Sequence, residues 1–194
     1  MSQGNFDEQE KNSFDRLVES DSHLDIEEDS EYQDSIENRI GTVIGDHYLI
    51  LELIGEGGMS AVYKARHTLL EKEVAIKFLL PNLVRSRKLI LRFKQEAKAA
   101  TSLHHPNICT VREFGVEEDG SPYLVMDYVE GKSLEELIHQ EEKIDIERAL
   151  KLLQQAAAGL GYAHGKGIIH RDIKPANLIM GITQPGSCLL KKLE

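Results

Sequence analysis

His170-Arg171-Asp172-Ile173-Lys174-Pro175-Ala176-Asn177 gathers a carboxylate, an ammonium group and a side-chain amide into one short loop. Asp172 can accept or orient a proton, Lys174 can neutralise negative charge developing beside it, and the Asn177 amide oxygen can meet a hard cation. Pro175 stiffens the turn by fixing φ. The bland alternative is a polar helix-to-strand loop whose Asp and Asn merely make turns.

Elements on both sides must hold such a loop in place. Upstream, a long helix is expected after Asp145, with Ile146, Ala149, Leu150, Leu153, Ala157, Leu160 and His164 on one stripe and Gly165 near its end. Before it, Ser133-Leu134-Glu135-Glu136 reads as a capping box opening a short helix to about His139. Downstream, Leu178-Ile179-Met180 and the stretch from Cys188 to Glu194 flank a turn at Gly181 to Gly186 containing Pro185, which predicts two short strands in a hairpin.

The first half of the chain carries a different pattern. Tyr48 to Ile54 reads as a strand, stopped by Gly55-Glu56-Gly57-Gly58-Met59-Ser60 and followed by a second strand from Ala61 to Arg66. A strand rather than a helix follows the glycines, which argues against a Rossmann site, and the G-x-x-x-x-G-K-[ST] pattern is absent. Alone, this stretch is equally an ordinary flexible hairpin. In Val74-Ala75-Ile76-Lys77-Phe78-Leu79, Val74, Ile76 and Phe78 face one way while Ala75 and Lys77 face the other. Alone again, Lys77 reads as a solvated lysine.

A helix from about Ser86 to Ser102 follows, with Ile90, Phe93, Ala97 and Ala100 on its apolar face. Glu96 falls about 40° from Ala100 and about 20° from Leu103 around the axis. Its carboxylate is therefore expected to be partly desolvated and to need a partner, either Lys77 or its neighbours Lys94 and Lys98. Pro106 stops the helix by biasing His105 away from it. His104 and His105 have no further Cys or His at zinc-ligand spacing nearby. Two strands, Ile108 to Val116 and Tyr123 to Tyr128, are expected across a turn containing Asp119-Gly120.

In this order the stretches resemble the protein kinases, most closely the bacterial serine/threonine kinases of eukaryotic-like type. Residues 170–177 match H-R-D-x-K-P-x-N and residues 74–77 match V-A-I-K. Gly55, Gly57 and Val62 meet G-x-G-x-x-G-x-V, with Ser60 in place of the third glycine. The resemblance implies an α+β, protein-kinase-like fold: a complete five-stranded N-lobe with one main helix, then the start of a helical C-lobe. Residues 48–129 would form the N-lobe and hinge, and residues 130–194 the beginning of the C-lobe.

It also implies ATP-dependent phosphoryl transfer, with Mg2+, to Ser or Thr hydroxyls of proteins. Asp172 and Lys174 would be catalytic and Asn177 a metal ligand. Ile54, Gly55, Glu56, Gly57, Gly58, Met59 and Ser60 would cover the triphosphate, with Val62 over the base. Ala75 would lie beside adenine, and Lys77, paired with Glu96, would reach the α- and β-phosphates. Met126 would wall the base pocket, with the backbone of Asp127 and Val129 bonding the base edge. In the family the residue after the second C-lobe strand opens the D-F-G motif, and here the chain stops at Glu194. The alternative expectation is therefore a kinase-like module, catalytically incompetent, that binds nucleotide or a protein partner.

Composition narrows the setting. The net charge of −10 resides in residues 1–40, which hold 13 Asp/Glu against 3 Lys/Arg and read as a mostly disordered acidic tail. The remainder is balanced, so no bias toward nucleic acid or anionic membrane is expected. Cys109 and Cys188 lack metal or redox spacing, Met1 opens no secretory signal, and no apolar run approaches the roughly 18–20 residues of a spanning helix. A reduced, cytoplasmic compartment is the expectation, with no membrane segment in this stretch.

Overall fold

The computed structural model describes residues 38–141, 143–181 and 187–190, all within one compact unit of the chain. The acidic residues 1–37, and with them most of the tail expected at 1–40, lie outside the described residues. The architecture is α+β. One antiparallel sheet has the order β1-β2-β3-β4-β6-β5, built from β1 (Val43–Ile44), β2 (Tyr48–Gly57), β3 (Ser60–His67), β4 (Glu73–Leu79), β5 (Val111–Val116) and β6 (Pro122–Asp127).

The five expected strands are present, and β1 is an addition. Order begins before Tyr48 because Gly45 (φ 54°) and Asp46 (φ 64°) turn the chain so that Ile44 pairs with Tyr48. A Gly-Asp pair is the turn signal that marks this short hairpin. The β5–β6 turn follows the Asp119-Gly120 expectation: Gly120 sits at φ +89°, and the Ser121 N–H donates to Asp119 Oδ1 at 2.8 Å.

Helix α1 (Arg87–Thr101) has the expected limits, with the Ser86 hydroxyl accepting from the Leu89 N–H and Ser102 at the other end. Its buried residues Phe93, Ala97 and Ala100 pack with Ala75, Leu79, Leu124 and Met126 on one face of the sheet.

A second, smaller sheet joins β7 (Gly131–Ser133), β8 (Leu178–Gly181) and β9 (Ser187–Leu190). The hairpin β8–β9 was legible in sequence and β7 was not. Gly131 lies so close to its partner strand that an added Cβ would fall 2.0 Å from the Met180 carbonyl oxygen. Only glycine fits there.

Between β7 and β8 run helices α2 (Leu134–Glu141) and α3 (Ile146–Gly165). The capping box forms as read: the Ser133 N–H donates to Glu136 Oε2 at 2.6 Å and the Glu136 N–H donates to Ser133 Oγ at 3.1 Å. Ser133→Ala is expected to cost about 1 kcal/mol of folding stability, measurable by urea denaturation.

The buried face of α3 differs from the expected stripe. Leu152, Ala156, Gly159 and Ala163 are buried, whereas Ile146 (78% exposed), Leu150 (55%) and Leu153 (56%) face outward. Apolar residues surround most of this helix, so periodicity alone does not choose a face. Close approach chooses it: a Cβ on Gly159 would come within 3.0 Å of the Asn107 carbonyl and Leu190 Cδ1. The small residues dock α3 against Asn107 and Ile108, and Leu190 of β9 donates to the Asn107 carbonyl and accepts from the Cys109 N–H. Among the described residues no helix is long and apolar enough to cross a membrane.

Candidate active site

Strand register brings the residues of the first half together. Residues directly opposite in antiparallel strands share a face, and successive rows on that face lie two residues apart. Gly55, Val62, Lys77 and Leu124 form one continuous row across β2, β3, β4 and β6. Lys64, Ala75 and Met126 form the next row on one side, and Gly57, Ser60 and Leu79 the row on the other. On this face Ala75 and Met126 give an apolar stretch beside Lys64, which is paired with Glu73, followed by the ammonium of Lys77 and then the glycine hairpin. Val62 and Val129 pack against the cluster containing Ala75 and Met126, so these four expected base-pocket residues are neighbours.

The hairpin glycines need a reason. Gly55, Gly57 and Gly58 are not in the positive-φ region. A Cβ on Gly55 or Gly58 would meet nothing within 4 Å, and one on Gly57 only the Ser60 carbonyl at 3.9 Å. Neither turn geometry nor internal packing demands glycine, and without side chains the hairpin backbone is open to close approach by a ligand. This open cradle, with a lysine beneath it, fits a polyphosphate. Ile54 and Met59 are exposed apolar residues of the same hairpin, and Glu56 lies between its glycines.

Lys77 is 8% exposed and lines a cleft with Gly57, Gly58, Met59, Ser60, Glu96 and Lys174. Glu96 is partly desolvated, as its helical position predicted, and its Oε1 accepts from Arg92 Nε at 3.1 Å. Arg92, an i,i+4 partner visible in the sequence spacing, also lines the cleft and was missed in favour of the lysines. Leu89 and Phe93 of α1 line it too.

On the other side stands the loop read first. His170 is 1% exposed and anchors it, its Nδ1 accepting from the Asp172 N–H at 3.3 Å. Arg171 adopts φ 63°, an uncommon conformation for a residue with a side chain, which reverses the chain just before Asp172. Pro175–Asn177 form a 3-10 turn leading directly into β8.

The Asn177 amide nitrogen donates to the Asp172 carbonyl at 2.9 Å and to Asp172 Oδ2 at 2.8 Å. Both amide protons are thus engaged, and Oδ1 is the atom Asn177 can offer a cation. Lys174 Nζ lies 2.9 Å from the same Asp172 Oδ2. The Lys174 hydrogen bond, with help from Asn177 and against partial desolvation, holds the Asp172 carboxyl below its ordinary range.

At the connection between the halves, Asp127 is locked in place. Its carboxylate takes both Nε and Nη2 of Arg112, at 2.7 and 3.0 Å. Its N–H donates to the Thr110 carbonyl at 2.9 Å, and its carbonyl accepts from Cys109 Sγ at 3.1 Å. A carbonyl oxygen has a second lone pair, so the Asp127 carbonyl can still accept another donor. Cys109 and Cys188 are both buried, and neither forms a disulfide among the described residues.

Residues 48–190 match the family described as the protein kinase domain. The chain is similar to the serine/threonine-protein kinase PrkC of Bacillus subtilis, 43% identical over 73% of this chain and 22% of PrkC. It is also similar to the serine/threonine-protein kinase pkn3 of Myxococcus xanthus, 40% identical over 73% of this chain and 26% of pkn3. Among solved structures, the Mycobacterium tuberculosis PknI kinase domain superposes with a TM-score of 0.66 at 28% identity, covering 79% of this chain and 60% of that one. The chain spans about a quarter of the length of these curated relatives.

Proposed function

Because this chain belongs to the protein kinase domain family, we propose that its cleft binds ATP and directs the γ-phosphoryl group to a serine or threonine hydroxyl of a protein. The observation that carries the reading is convergence: Lys77 from the sheet, Lys174 from the loop beside Asp172, and the open glycine hairpin all line one cleft. The family uses ATP and a divalent metal; bound together, they supply the phosphoryl group and shielding of its charge.

The chain's own residues would then divide the work. The apolar row at Ala75 and Met126, covered by Val62 and Val129, receives the base, and the Asp127 carbonyl and Val129 backbone meet its edge. Lys77, with Glu96 on the adjoining helix, holds the inner phosphates, and the hairpin backbone closes over them. Lys174 and Asn177 both bind Oδ2 of Asp172, which leaves Oδ1 to accept the hydroxyl proton of the substrate. Asn177 Oδ1 is an oxygen ligand for Mg2+, whose remaining positions would be filled by phosphate oxygens and water.

The test is transfer of label from γ-labelled ATP to serine or threonine of a protein substrate by the full chain carrying this domain. Label on Ser or Thr, dependent on divalent metal, supports the reading. Nucleotide binding without transfer would replace it with that of a binding module.

Lys174 also sets a pH dependence. With its carboxyl depressed, Asp172 stays ionised through neutral and mildly acidic pH, and base function is lost only as pH falls through that lowered value. Lys174→Met removes the main cause, so the acid limb of kcat/KM is expected to move up toward the ordinary aspartate range near about 4. A pH–rate profile checks this, and an unmoved acid limb would remove Lys174 from control of the base.

A further inference from the structure

Ser60 stands where the phosphate-covering pattern has its third glycine, and its side chain has no internal task. It opens β3 opposite Gly57 on one side and Leu79 on the other, so it shares the face of Val62 and Lys77. The residue is 9% exposed and lines the cleft beside Lys77. Among the described residues its hydroxyl makes no hydrogen bond, although neighbouring serines do: Ser86 caps α1, and Ser121 and Ser133 bond carboxylates. A buried hydroxyl without a partner is unfavourable unless a ligand or an ordered water satisfies it.

We infer that the Ser60 hydroxyl donates a hydrogen bond to an outer phosphate oxygen of the bound nucleotide. The inference rests on the nucleotide reading above and deepens it, because that reading uses only the backbone of the hairpin. The row order selects the phosphate. Ala75 and Met126 mark the base end, Lys77 lies one row further, and Ser60 one row beyond Lys77, with about 6–7 Å between rows. Ser60 thus stands on the side of Lys77 away from the base, within reach of the β- or γ-phosphate. Glycine would keep the backbone contacts there and lose this donor.

The test is calorimetric titration of adenosine, ADP and ATP into the full chain and into Ser60→Ala, Ser60→Gly and Ser60→Thr. One neutral hydrogen bond corresponds to a loss of about 3–10-fold in affinity. Ser60→Ala and Ser60→Gly are expected to lose that factor for ATP and to leave adenosine unchanged, while Ser60→Thr, which keeps the hydroxyl, retains ATP binding. ADP assigns the phosphate: loss with both nucleotides places the contact on the β-phosphate, and loss with ATP alone on the γ-phosphate. Unchanged ATP affinity in Ser60→Ala, or equal loss for adenosine and ATP, would overturn the inference while leaving the nucleotide reading intact. A wild-type chain that binds neither ADP nor ATP overturns both.

Discussion

Asp172→Asn should lower phosphoryl transfer by the full chain on the order of 10²–10⁴-fold, the range for loss of a positioned general base, while ATP affinity stays close to wild type. The geometry explains why the two effects separate. Asn at 172 keeps a side-chain oxygen for the Asn177 amide, whose other proton remains on the Asp172 backbone carbonyl. Lys174 loses a charged partner, but it is half exposed and water can solvate it. Fold and cleft therefore survive, and what disappears is the acceptor for the hydroxyl proton. The readouts are a single-turnover rate and a nucleotide dissociation constant on the same preparation. Transfer within tenfold of wild type would remove Asp172 from the role of base.

Lys77→Met should act on binding and chemistry together. Lys77 is buried on a strand covered on both faces, and methionine fills a similar slot without the ammonium. Deleting one preorganised charge from the proposed phosphate site is expected to lower turnover by about 10²–10³-fold and also to weaken or misplace ATP. The pair of variants thus forms a cross: Lys77→Met alters binding and chemistry, Asp172→Asn chemistry alone. Equal losses of nucleotide affinity from both would refute this division of roles.

What the sequence disclosed followed the range of the interactions responsible. The 87–101 helix was legible to within a residue because its caps, Ser86 and Ser102, are adjacent to it. The Ala75/Lys77 face was legible because strand alternation needs no partner, and the glycine hairpin because its signal is local. Strand β7 was not legible: three residues carry no periodicity, and its partner β8 lies far along the chain. The docking face of α3 was misread because it is selected by Gly159 against Asn107 and Leu190, contacts with no local signature. For the expected site residues, sequence nominated them by motif, and register supplied the rows in which they stand, including Leu124 and the position of Ser60.

The β7–β8 pairing also imposes an order of assembly. Hairpins β2–β3, β3–β4 and β5–β6 join neighbours in sequence and can close as soon as each emerges from the ribosome. Gly131 must instead wait for Gly181, about fifty residues later, an interval of roughly 3–10 s at ordinary rates of synthesis. For that interval strands β1 to β6 have all been synthesised while Asp172 and Asn177 are still being made. The half of the chain that carries Lys77 is therefore complete before the half that carries Asp172 and Asn177 can be pinned to it by β7 and β8.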